Sequence, residues 1–184
     1  MKSLITTILI LGTIGVVVGI AVKAATENIS ATVTPMQVAL TVSPTSTTYS
    51  SMDVSTVKKA DTASSSDEFI ITNTGNVAET FNVLGADATG GTGWAISTST
   101  VGTNIYMHAY SANKTLTAST TLGSVGDQAT KWVALDKGTS YRTLATNIAS
   151  STNQDLVLEL LTPSSVGDYA VKSTTVTVQA TLYE

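Results

Sequence analysis

The chain has 184 residues, a mass of 18.9 kDa and a net charge of −4 at neutral pH, with one histidine and no cysteine. Charged residues make up 12%, about half the usual share of roughly 25%, whereas 34 Thr and 21 Ser make up about 30% of the chain. These figures exclude a disulfide framework, a thiolate zinc site, an iron–sulfur cluster and a lipidated cysteine. A pI near 4.8 argues against nucleic acid as the main partner, because phosphate binding needs clustered Lys and Arg.

The N-terminus reads as an export signal. Lys2 precedes Leu4–Val22, a run of 19 uncharged residues. Val22-Lys23-Ala24 places small residues where a signal peptidase reads them, so residues 1–24 are expected to be a signal peptide cut after Ala24. Left uncut, the same run is long enough for a signal-anchor helix, since a span takes roughly 17–25 residues. Either way residues 25–184 are expected outside the cytoplasm, extracellular or on the cell surface, touching membrane only through an uncleaved leader. A type IV pilin leader would carry a glutamate near its apolar run, and none is there. Cleavage leaves seven basic against thirteen acidic residues, a net charge of −6.

Beyond Ala24, Val, Thr, Ile, Tyr and Phe alternate over short runs between Gly, Asn, Asp and Ser, and no 11-residue window shows helical periodicity. Thr and Val are stiff at χ1 and suit a pleated surface. The first predicted strand is Ala31–Val42, interrupted by Pro35 and therefore either an edge strand or one that changes partner there. Thr47–Val54 follows, then a polar loop, Lys58–Asp67. Glu68–Thr72 and Val77–Gly85 flank the turn Asn73-Thr74-Gly75-Asn76, which predicts a hairpin from Phe69 to Val83. Short strands are expected at Trp94–Ile96 and at Ile105–Tyr110, where Tyr106, His108 and Tyr110 form a row on one side. Ser111–Gln128 is weakly patterned. Lys131–Leu135 and Tyr141–Ile148 come next, then Gln154–Leu161, whose apolar residues on both faces predict a strand buried on both sides at its end, with a single helical turn as the alternative. Tyr169–Tyr183 closes the chain with the clearest alternation: Val176, Val178, Ala180 and Leu182 against Thr175, Thr177, Gln179 and Thr181. About eight to ten strands at this spacing predict an all-β sandwich or barrel in residues 25–184.

Two stretches carry a resemblance. Phe69–Val83 followed by Gly93-Trp94 resembles the strand, N-T-G-N, strand, G-W pattern of immunoglobulin-like domains in secreted and cell-surface proteins, of which the NEW3 and CARDB type modules are nearest. Leu160–Tyr169 resembles the P…G-D-Y corner of the same domains. The resemblance implies an immunoglobulin-like antiparallel sandwich, a tyrosine packed at its end at Tyr169, and a core tryptophan at Trp94. It covers about a third of the chain, and Lys114–Lys137 departs from it.

Candidate sites are few. His108 is the one general base of the usual kind, but no G-x-S-x-G elbow surrounds any serine, and its place in an aromatic row favours packing. Asp61, Asp67 and Glu68 lie near one another in sequence without a D-x-[DN]-x-[DN]-G calcium loop. No catalytic residue, metal or cofactor is therefore expected. Trp132 is a candidate sugar-stacking platform. Asn28 and Asn113 head N-x-[ST] tripeptides and are candidate glycan-attachment sites.

Residues 25–42 are extended in pattern and uncharged apart from Glu27. Such a segment serves as an edge strand of its own sandwich or as a donor strand inserted into the next subunit; exchanged head to tail, it propagates a filament. The outline of signal, extended N-terminus and Ser/Thr-rich sandwich is similar to that of TasA and camelysin type filament subunits and archaeal thread pilins. The expected function is a non-catalytic exported structural protein, a filament subunit in its sharpest form, whose partners are other copies, surface proteins or glycans. A carbohydrate-binding or adhesion module is the alternative, and a secreted hydrolase using His108 is a third reading.

Overall fold

Strand formation follows the β-branched and aromatic runs. The computed structural model describes residues 32–61 and 67–184, and the expected leader of residues 1–24 lies outside the described residues. Among the described residues there are ten strands and no helix: β1 (Leu40–Ser43), β2 (Val57–Lys59), β3 (Phe69–Asn73), β4 (Glu79–Leu84), β5 (Ala95–Ile96), β6 (Ile105–Ser111), β7 (Val133–Ala134), β8 (Arg142–Ile148), β9 (Asn153–Leu161) and β10 (Thr177–Leu182). They form two sheets. One has seven strands, in the order β1-β3-β9-β6-β5, with β2 also on β9 and β7 also on β6; the other has three, in the order β10-β4-β8. Pairing is antiparallel except between β5 and β6, a short parallel pair.

The sheets share one apolar core. Phe69 and Ile71 of β3, Tyr106 and Tyr110 of β6, and Leu156 and Leu158 of β9 pack with Phe81, Val83 and Leu144 from the small sheet. A second cluster lies apart from it: Ala109, Trp132 and Val157, with Leu116 and Leu122 against them. Ala109 and Val157 alternate with the core residues of β6 and β9, so they occupy the opposite face of the large sheet. The weakly patterned stretch after Ser111 is what covers that face, pinned where Trp132 Nε1 donates to the Thr117 carbonyl at 2.8 Å. The middle strand β9 is thus buried on both faces, as its apolar residues on both sides predict.

Several expectations are corrected. Phe69–Val83 is not a hairpin: β3 pairs with β1 and β9, whereas β4 pairs with β10 and β8. The Asn73–Asn76 turn is an arch that carries the chain from one sheet to the other. Thr47–Val54 forms no strand beyond a bridge from Thr48 to Asp61. Instead β2 forms across the start of the expected polar loop, because the second half of β9 needs a partner beyond the end of β3. Its lysines bond carbonyls: Lys58 Nζ reaches Tyr49 O at 3.0 Å and Lys59 Nζ reaches Lys114 O at 2.7 Å. Only the second half of Tyr169–Tyr183 is a strand, and Tyr169 is 96% exposed, so it packs no corner.

The N-terminal edge is clamped before it pairs. Asn76 Oδ1 accepts the Gln37 amide at 2.7 Å and Asn76 Nδ2 donates to Pro35 O at 2.8 Å. The buried Glu79 carboxylate accepts the Ala39 amide at 2.8 Å, and the Thr74 and Gly75 amides donate to Ala39 O. Leu40–Ser43 then pairs with β3. A Cβ at Gly75 would collide with the Gln37 carbonyl and the Glu79 carboxylate. Gly75→Ala is therefore expected to cost about 1–3 kcal/mol, as overpacking does, and to deprotect the Ala39 amide in hydrogen exchange ahead of the core amides.

Candidate functional site

The two sheets do not cover each other completely. Between them lies a groove of about 1210 Å³, with Phe69, Leu158 and Leu160 from the inner face of the large sheet on one side and Val176 and Val178 on the other. Two irregular segments complete its walls: Pro44–Val54, which links β1 to β2, and Val166–Thr175, which leads into β10. The first is rich in hydroxyls because it must be solvated without a ladder partner.

His108 lies on the wall of this groove and is 2% exposed. Its Nε2 is 2.7 Å from Tyr49 Oη, and the rings meet edge to face with centroids 5.7 Å apart. Burial lowers the His108 pKa to about 4, so the ring is neutral at physiological pH. Burial, then the nearby Tyr106 and Glu159, push the Tyr49 phenol well above 10. Tyr106 Oη donates to Ala86 O and lies 2.9 Å from Thr174 Oγ1, while Tyr110 Oη donates to Thr143 O at 3.0 Å. Burial pushes both phenols up to about 12. The row of Tyr106, His108 and Tyr110 is thus a packed one, in which side-chain hydroxyls tie the large sheet to the small one and its flanks. His108 shares its hydrogen bond with a phenol and not with a serine.

At the mouth of the groove a latch holds the second irregular segment. Lys172 Nζ bonds Asp168 Oδ1 at 2.6 Å and Gly90 O at 2.7 Å, and sits 5.7 Å from the centroid of the Trp94 ring, within cation–π range. Asp168 also accepts the amides of Thr92 and Ala170. Lys172 first, then those amides, hold its carboxyl below the usual carboxylate range. Thr89 and Ser173 exchange main-chain bonds at 2.8 and 3.0 Å. Trp94 is half-buried on this wall, and its indole N–H has no partner among the described residues.

The edges of the small sheet differ. Three carbonyls of β8 are capped by side chains: Thr143 O by Tyr110, Leu144 O by Gln128 at 2.8 Å and Ile148 O by Asn73 at 2.8 Å. In β10 the Tyr183 amide bonds Ala78 O. With Leu182 opposite Glu79 and Thr177 opposite Leu84, the alternation of an antiparallel ladder aims the main-chain groups of Thr177, Gln179 and Thr181 at β4 and those of Val178, Ala180 and Leu182 outward. Among the described residues nothing caps that outward row.

The remaining sequence candidates lie elsewhere. Trp132 is 1% exposed within the second cluster and offers no ring face to a sugar. Asn28 lies outside the described residues. Asn113 Oδ1 accepts the Thr115 amide and hydroxyl at 2.9 and 2.7 Å, and its Nδ2, the atom a glycan would join, donates to Ala129 O at 2.9 Å. Glu68 is paired with Lys114 at 3.1 Å, and among the described residues no three acidic or histidine groups converge to hold a metal ion. The groove, the latch and the open edge of β10 escape sequence reading. Trp94, Asp168 and Lys172 are far apart or off any periodicity, and only tertiary structure brings them together.

No protein-family model, curated protein or solved structure matches the chain.

Proposed function

We propose that the chain is an exported, non-catalytic structural subunit of the cell surface or extracellular matrix, built as an immunoglobulin-like sandwich and joined to other copies by strand exchange. The observation that carries this reading is the groove. At about 1210 Å³ it exceeds the roughly 300–1,000 Å³ of a small-molecule pocket. It meets the unpaired edge of β10 at Val178, and apolar side chains of both sheets line it. A length of extended polypeptide matches all three features: main-chain groups for the edge, alternate side chains for the interior. The low charge and the dense hydroxyls of the exterior suit close packing of like subunits without strong mutual repulsion.

The platform named for a carbohydrate module, Trp132, is buried, and the base named for a hydrolase, His108, is sealed and neutral. Neither alternative gains an observation from the site. Sedimentation velocity and negative-stain microscopy of the chain from Ala25 onward test the proposal. Concentration-dependent assemblies of regular width are expected. A species that stays monomeric at every concentration overturns the proposal.

A further inference from the structure

We infer that residues 115–121 form a lid on the face of the large sheet opposite the core, shut while Glu159 carries its proton and lifted when that carboxyl ionises, so that Trp132 is bared. This stands apart from the self-association proposed above.

The stretch after Ser111 is closed at its neck. The Ala112 amide donates to Gln128 O at 3.0 Å, Asn113 Nδ2 to Ala129 O at 2.9 Å, and Gln128 Nε2 to Leu144 O at 2.8 Å. Its far limb is fixed too: the Gly123 amide donates to Trp132 O at 2.7 Å, and Leu122 is bridged to Trp132. A loop with joined ends and its own side chains packed beneath it is of the Ω kind. Between the fixed points, residues 115–121 have no main-chain bond to the sheet among the described residues. Three ties hold them down. Leu116 packs on the cluster of Ala109, Trp132 and Val157; Thr117 O accepts from Trp132 Nε1 at 2.8 Å; and the Ser119 amide donates to Glu159 Oε2 at 2.8 Å. A segment with so few bonds opens at lower free energy than the strands under it.

Glu159 makes one of those ties conditional. It is 2% exposed among Met107, Ala109, Leu122 and Leu161. An ionised carboxylate can accept at about four sites. Under the shut lid it has one amide and a void of about 10 Å³, room for one water at most. No neighbouring element supplies a cation to it. From β2, Lys59 stands opposite in register, but its ammonium bonds Lys114 O at 2.7 Å. At the start of the lid, Lys114 pairs with Glu68 at 3.1 Å and with Asp155 of β9 at 3.5 Å. From β6, Met107 and Ala109 face Glu159, whereas His108 faces the groove on the other side of the sheet. The Tyr49 phenol feels the charge and keeps its proton. An ionised Glu159 is therefore relieved by lifting the lid and admitting water. Burial raises its pKa from 4.5 to about 7 while the lid is shut. The shut form binds the proton more tightly, so its advantage is full below pH 4.5 and is lost as pH rises to 7. The opening constant grows by up to about tenfold per pH unit across that window and levels off above it.

Hydrogen exchange of the protein from pH 5 to 8, corrected for the intrinsic pH dependence of exchange, measures the opening. The Ser119 amide and the Trp132 indole N–H are expected to exchange at least about tenfold faster than the buried amides of β9. Their opening constants are expected to rise about 40-fold from pH 5 to 7 and less than about twofold more by pH 8. In Glu159→Gln, which keeps an acceptor for Ser119, the opening is expected to be flat over this range. Leu116→Ala is expected to raise it at every pH and to keep the slope. Opening that ignores pH in the wild type, or that keeps its slope in Glu159→Gln, would remove Glu159 as the trigger. Protection of Ser119 and Trp132 equal to that of β9 would show that only global unfolding frees the carboxyl. If Leu116→Ala leaves the opening unchanged, residues 115–121 are not the moving unit.

Discussion

Replacing Glu159 by Gln is expected to raise stability by up to about 3 kcal/mol at pH 8 and to change it little at pH 4. Glu159 is 2% exposed, on the face of β9 covered by the stretch after Ser111. Met107, Ala109, Leu122 and Leu161 surround it around a void of about 10 Å³. Lys59 stands opposite in register, but its ammonium bonds Lys114 O. One amide, that of Ser119, donates to the carboxylate at 2.8 Å. Burial outweighs that bond and raises the pKa from 4.5 to about 7. A carboxyl raised on folding binds its proton more tightly in the native state. Its contribution is therefore full below pH 4.5 and is lost as pH rises to 7. Gln keeps an acceptor for Ser119 and removes the titration.

His108 works the other way. Its pKa falls from 6.5 to about 4 on folding, so its contribution is full above pH 6.5 and is lost as pH falls to 4. Between pH 4.5 and 6.5 the two slopes, each about 1.4 kcal/mol per pH unit, oppose each other, and their sum is nearly flat. Glu159→Gln unmasks the histidine, so the variant should gain stability across that window as pH rises. Urea denaturation at pH 4, 5, 6, 7 and 8 measures this. A variant no more stable than the wild type at pH 8 would mean the Glu159 carboxyl is better solvated than its packing indicates, and one flat from 4.5 to 6.5 would mean that burial does not hold the His108 pKa down.

Patterning carries the strands well and their partners poorly. The alternation of Val176, Val178 and Ala180 identifies β10 and its core face, and the two apolar faces of β9 identify a strand buried on both sides. Neither pattern says which neighbour takes the edge. β2 is invisible because Val57, Lys58 and Lys59 bear no alternation; the exposed end of β9 recruits them, and their lysine stems fold back onto carbonyls. The groove is invisible for a related reason. It is made by what does not pack, namely two irregular segments that fail to close the space beside β10. Periodicity reports which residues are buried, and the open edge is a property of what remains uncovered.

The arch shows how a local signal is read correctly as a turn and wrongly as a hairpin, and it yields the second large effect. Asn73→Ala should cost about 3–4 kcal/mol. Asn73 is fully buried; its Nδ2 donates to Val77 O and Ile148 O, each at 2.8 Å, and its Oδ1 accepts the Gly75 amide at 2.8 Å. Truncation orphans two half-buried carbonyls, at about 1–3 kcal/mol each, and loosens the turn. The bond to Ile148 O decides between hairpin and arch. It ties the end of β3 to the end of β8, a strand of the other sheet, and Ser150 Oγ donates to Gly75 O at 2.6 Å from the same side. A hairpin would need only the bonds within 73–77. Asn73→Asp, nearly isosteric, should be at least as damaging at pH 7, because it turns an acceptor toward both carbonyls, and it should recover in part at low pH as the carboxyl regains a proton. Denaturation of the two variants at pH 4 and 7 checks this. An Asp variant as stable as the wild type at pH 7 would show that the side-chain nitrogen does not brace the two sheets.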